Sequence, residues 1–146
     1  MRQRTGEGNA MTVLVVDDEP SYRLTLREVL SAEGHEVFLA ENGEEALRKL
    51  TIIEPHIIIA DVYMPVMDGR KLHRAVREMP RFEKLPFLFV SGYNDEQTLT
   101  VVRDPRYEAF LPKASPARQL IEWVTYLTLP EGKRGASFPG KPHWVN

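Results

Sequence analysis

The chain of 146 residues contains no cysteine, an absence that removes disulfide frameworks and thiolate metal sites from consideration. No apolar run approaches the roughly 20 residues that a spanning helix needs, so no membrane contact is expected. An excess of one charge is also missing, with 19 Lys and Arg against 21 Asp and Glu. Direct nucleic-acid contact is therefore not the expected role. The opening stretch MRQRTGEGNA has two arginines but no apolar segment behind them, which does not fit a secretory signal. Together these absences lead to the expectation of a soluble, cytoplasmic protein.

What is present suits one ordinary hydrophobic core, since 42% of the residues are hydrophobic and the length does not comfortably hold two domains. Residues 1–10 are polar and read as a flexible N-terminal arm, with the hydrophobic pattern beginning abruptly at Met11. Residues 130–146 hold three prolines and three glycines and read as an irregular tail. The chain carries −2 overall, the arm +1 and the tail +2, so the domain expected over 11–129 is distinctly acidic at −5.

Within that domain, short apolar and β-branched runs alternate with amphipathic stretches, the pattern of an α/β fold with a doubly wound, five-stranded parallel sheet and helices on both faces. Strands are expected at Thr12–Asp17, Glu36–Ala40, His56–Ala60, Pro86–Val90 and Glu108–Leu111. The continuous apolar character of Ile57-Ile58-Ile59 and of Phe87-Leu88-Phe89-Val90 suits strands buried on both sides. Helical stripes run through Tyr22, Leu26, Val29 and Leu30, then Ala46, Leu50 and Ile53, then Leu72, Val76 and Met79. A last stripe of Leu120, Trp123, Val124 and Leu127 starts after Pro116, a residue type favoured at helix starts, and stops at Pro130. Asp95–Arg103 offers only Leu99 and Val102 as a stripe before Pro105, so the fourth helix should be short.

Ligands of doubly wound sheets bind beyond the carboxyl ends of the strands. Asp17 and Asp18 close the first strand, while Asp61, Ser91 and Lys113 follow the third, fourth and fifth, so all five should gather at one edge. Clustered carboxylates repel unless a cation sits among them. Mg²⁺, which takes oxygen ligands and shares phosphate oxygens, suits this set. Zinc does not, because His35, His56, His73 and His143 have no ligand-like spacing. Asp61, alone after the central strand, is the expected nucleophile toward phosphorus, with Lys113 neutralising phosphoryl oxygens. Asp18 is then expected to hold the metal directly and Asp17 to orient its water shell.

The segments VLVVDDEP, IIIADVYMPVMDG, Ser91-Gly92 and FLPK ending at Lys113 resemble, in order and spacing, the response regulator receiver domains of two-component signal transduction systems. The resemblance covers residues 11–129 and implies a flavodoxin-like receiver fold. It implies that Asp61 is the phosphorylation site, served by a histidine kinase or phosphotransfer protein in a phosphorelay. Asp17, Asp18 and the Tyr63 carbonyl would join Asp61 as Mg²⁺ ligands. Ser91 and Phe110 would form a hydroxyl–aromatic switch read by a downstream protein target, with Phe110 biased toward its buried rotamer.

Three features depart from that pattern. Ala114 replaces the proline usual after the lysine, Arg106-Tyr107 replaces a small pair before the fifth strand, and Tyr63 and Tyr93 are bulky groups flanking the pocket. The two tyrosines should shield an acyl phosphate from water and slow its loss.

Blander readings stand beside these. Asp18 before Glu19-Pro20 would serve as a helix cap, Asp68-Gly69 as a turn, Lys113 as a solvated charge, and Phe110 and Trp123 as plain core. Arg70, Lys71, Arg74 and Arg77 would be a solvated basic face. The chain is expected to be a signalling switch and not an enzyme, with no output domain after residue 129. One alternative is a Mg²⁺-dependent phosphohydrolase with an aspartyl-phosphate intermediate, although Tyr63 stands where such enzymes place a second Asp. The other is a degenerate receiver acting as a binding module.

Overall fold

The computed structural model describes residues 10–134. The arm expected over residues 1–10 lies outside them except for Ala10, as does the tail beyond Arg134. In chain order the elements are β1 (Thr12–Val16), α1 (Pro20–Ala32), β2 (Glu36–Ala40), α2 (Gly43–Lys49), β3 (Ile57–Asp61), α3 (Gly69–Arg77), β4 (Phe87–Ser91), α4 (Glu96–Leu99), β5 (Glu108–Pro112) and α5 (Ala117–Thr128). Single 3₁₀ turns occur at Pro80–Phe82 and Glu131–Lys133, the second giving regular structure to residues expected to be irregular.

All strand pairs are parallel, in the order β2-β1-β3-β4-β5. Alternation along each strand divides the core in two. Leu14, Val16, Ile58, Ala60, Phe87, Phe89 and Phe110 pack on the side of α2 and α3. Val13, Val15, Ile57, Ile59, Leu88, Val90 and Leu111 pack against α1 and α5, around Trp123. Chain order reverses beside β1, and the crevice between the ends of β1 and β3 is the topological switch point at which such sheets take ligands.

Several boundaries differ from expectation by one residue. Asp17 lies just past β1, and His56 and Pro86 precede their strands, while Asp61, Ser91 and Pro112 are paired at the strand ends. Hydrophobicity cannot mark these ends, because pairing continues through polar residues and stops by register. α5 begins directly after Pro116, as expected, with that proline at the N-cap position. The fourth helix is a single turn, as expected, but its inward stripe is misjudged. Thr98 and Val101 are buried and Leu99 is 46% exposed, because the Asp95–Thr98 capping box sets the helix phase.

Candidate functional site

All five groups expected at the carboxyl edge lie at the ends of their strands, and Asp17, Asp61 and Lys113 meet there, their positions following from backbone bonds. The amide of Asp17 donates to the Ala40 carbonyl at 3.0 Å, that of Val62 to Val90 at 2.9 Å, and that of Lys113 to Ser91 at 2.9 Å. Each site residue is thus pinned by a ladder that extends past its strand. Gly69 supplies a further constraint, since a Cβ there would stand 2.3 Å from the carbonyl oxygen of Asp61. The first residue of α3 therefore rests directly on the backbone of the central aspartate, while Asp68 caps the helix by accepting from Lys71 N at 2.9 Å.

Lys113 organises the pocket. Its Nζ lies 2.8 Å from Asp17 Oδ2, 2.6 Å from Glu19 Oε1 and 3.2 Å from Asp61 Oδ2, and 4.6 Å from the centre of the Tyr22 ring. The Lys113–Ala114 peptide is trans, and the ammonium reaches all three carboxylates with alanine in the following position. Burial by itself would lower the Lys113 pKa, but Asp17 and Glu19 outweigh it and raise the value.

Burial pushes the Asp61 carboxyl up to about 6, with Asp17 adding repulsion and Lys113 opposing both. Desolvation likewise raises Asp17, whereas Glu19, exposed and bonded to Lys113, is lowered. The buried Asp17 Oδ2 is held by the Lys113 ammonium at 2.8 Å. One oxygen from each of Asp17, Glu19 and Asp61 lies within 4.8 Å of the others. Three carboxylates against one ammonium, all offering hard oxygen donors, fit a divalent cation such as Mg²⁺.

Asp18 stands apart. It is exposed and outside the carboxylate group, in which Glu19 takes part instead. Nor does Asp18 serve as a cap: Glu19 occupies the N-cap position of α1, and no side-chain capping bond is made there. Glu19 and Tyr22 were not singled out from the sequence, because their part depends on where a lysine more than ninety positions away sends its ammonium. The only prior signal was the place of Glu19 beside the acidic pair.

Ser91 is buried, and its hydroxyl accepts from Tyr93 N at 3.0 Å. Phe110 is buried in the core, the rotamer expected for a ring without a hydroxyl. The two flanking tyrosines meet edge to face with centroids 5.4 Å apart. The Tyr63 hydroxyl donates to Asp95 Oδ2 at 2.5 Å; this bond pushes Tyr63 up to about 12 and lowers Asp95. Because Asp95 also caps α4, the loop leaving the central aspartate is latched to the fourth helix.

An acidic pocket with a bridging lysine, at the switch point of a parallel β2-β1-β3-β4-β5 sheet, defines a class of phosphate-directed α/β proteins. The chain belongs to the response regulator receiver domain family, whose profile it matches over residues 13–125. It is 38% identical over 114 residues to an uncharacterized 14.6 kDa protein of Leptolyngbya boryana, covering 78% of this chain and 87% of that one. It is 31% identical over 128 residues to the response regulator MprA of Mycolicibacterium vanbaalenii, spanning 86% of this chain but 54% of MprA. Among solved structures it is similar to the receiver domain of a signal transduction histidine kinase from Syntrophus aciditrophicus. That match has a TM-score of 0.75 and 27% identity, and covers 88% of this chain and 97% of that one.

Proposed function

We propose that this protein is a phospho-accepting switch in which Asp61 receives a phosphoryl group from a histidine kinase or phosphotransfer protein. The observation that carries the reading is the Lys113 ammonium bridging Asp17, Glu19 and Asp61 beside the switch point. An oxygen of the Asp61 carboxylate attacks phosphorus as the bond to the donor nitrogen breaks and its electron pair leaves with the imidazole. Lys113 moves from the carboxylates to the new phosphoryl oxygens and neutralises them. Mg²⁺ would be held by Asp17 and Asp61 with the Tyr63 carbonyl, and by Asp18 once its exposed side chain turns inward. When bound, it supplies charge neutralisation of the transferring group.

Phosphoryl oxygens offer Ser91 a stronger acceptor than any it has now. Its hydroxyl would turn to donate to one, disturbing the bond from Tyr93 N and with it the Tyr93–Tyr63 contact. Phe110 would follow the change in the space beneath. The state would pass to a downstream protein by contact.

Incubation with Mg²⁺ and acetyl phosphate tests the reading. The expected result is one label per chain, on Asp61 and lost in Asp61→Asn. Continuous donor turnover without stable label would replace it with the phosphohydrolase reading, and complete inertness with a binding module.

A further inference from the structure

The acidic body has one basic face. α3, with the sequence GRKLHRAVR, carries Arg70, Lys71, Arg74 and Arg77 and no acidic residue. Arg70 and Lys71 occupy its first turn, where the helix dipole disfavours cations, and Arg70 and Arg74 are like charges one turn apart. Within the described residues the side chains of Arg70, Arg74 and Arg103 make no hydrogen bond or ion pair. No direct ion pair within the described residues therefore offsets the repulsion between these side chains.

These guanidinium groups also converge. Because α4 is one turn long, a cavity of about 260 Å³ remains between α3 and the chain leaving α4. Phe89 and Val101 form its floor, and Arg70, Arg74, Arg77 and Arg103 line it with Glu78 as the one acidic group of the lining. The wall is firm. Buried Glu108 binds Arg77 at 2.9 Å and His73 at 2.6 Å from α3, and accepts the backbone amides of Arg103 at 2.7 Å and Asp104 at 3.0 Å. Glu108 neutralises Arg77, and within this cavity Glu78 is the one carboxylate set against Arg70, Arg74 and Arg103, while Arg70 also borders Asp95 and Glu96 on its outer side.

We propose that this cavity binds a compact phosphorylated metabolite carrying at least two negative charges, with phosphate held by Arg70, Arg74 and Arg103 and the uncharged part over Phe89 and Val101. Planar guanidinium forks match phosphate oxygens in pairs. The volume lies below the roughly 300–1,000 Å³ of drug-sized sites, which limits the ligand to about the size of a mononucleotide. Occupancy relieves the charge repulsion along α3 and bridges it to the strand-leading loop. The site uses none of the residues assigned to phosphorylation.

The test is calorimetric titration of the full chain with pyrophosphate and with adenosine monophosphate, in chelator and at constant ionic strength. Saturable binding of one equivalent of either probe is expected, weakened at least tenfold by Arg74→Gln and by Arg103→Gln. Both residues are exposed and unpaired, so the variants should fold, which their thermal transitions will verify. Asp61→Asn should bind as the parent does, whether or not Asp61 accepts phosphate. No saturation by roughly 10 mM of either probe, or full binding in the doubly substituted chain, overturns the proposal. So does capture of a phosphoserine peptide when neither small probe binds.

Discussion

Asp61 is held in a protonation conflict of the pocket's own making. Its carboxyl is raised to about 6 by burial and by Asp17, so between pH 4 and 6 the native protein binds more protons than the unfolded chain, and stability falls as pH rises through that interval. At neutral pH without metal, Asp61→Asn should stabilise the fold by roughly 1–3 kcal/mol, read from urea denaturation in chelator. A destabilised variant would show that Asp61 contributes more through Lys113 than it loses by desolvation. Gly69 makes the opposite prediction. A methyl group 2.3 Å from the Asp61 carbonyl cannot be accommodated by rotating a side chain, so Gly69→Ala should cost about 2 kcal/mol. It should also depress labelling of Asp61 while leaving the carboxylate chemically intact.

At the scale of elements, the loop after β3 is tied to α4 through Tyr63 and Asp95. A four-residue helix has little stability of its own, so this phenol–carboxylate bond and the capping box hold it in place. Tyr63→Phe should increase amide exchange across residues 95–100 several-fold, with the strands unaffected. If exchange there does not change, the capping box alone maintains the turn. If Tyr63 and Tyr93 shield Asp61 as the sequence leads one to expect, a phosphorylated protein should lose its label slowly. A half-life of only seconds in Mg²⁺ would contradict that shielding.

For the molecule as a whole, Glu108 joins α3, β5 and the loop between α4 and β5. Burial would raise its pKa, but the bonds from His73 and from the Arg103 and Asp104 amides prevail and hold it down at about 2. The group therefore adds stability above its unfolded value of 4.5, a contribution lost as pH falls from 4.5 toward 2. Glu108→Gln should cost about 3 kcal/mol at neutral pH, because it leaves the half-buried Arg77 without its counter-charge. It should also flatten the acid limb of the stability profile. Mg²⁺ at a hundredfold excess over its dissociation constant should stabilise the parent by about 2.7 kcal/mol, and Asp61→Asn by markedly less.

The alternation of apolar runs, the Asp17-Asp18 pair, Asp61 at the end of an isoleucine run and Lys113 after FLP were enough to state the fold and the edge where the chemistry lies, because hydrophobic period and strand ends are local properties. The exchange of Glu19 for Asp18 in the carboxylate group was not legible, nor were the Tyr63–Asp95 latch, the inward turn of Thr98 and the Glu108 anchor beneath four arginines. Each depends on where a long side chain ends after crossing between elements remote in sequence. Periodicity assigns a residue to a face, and only packing in three dimensions selects its partner on that face.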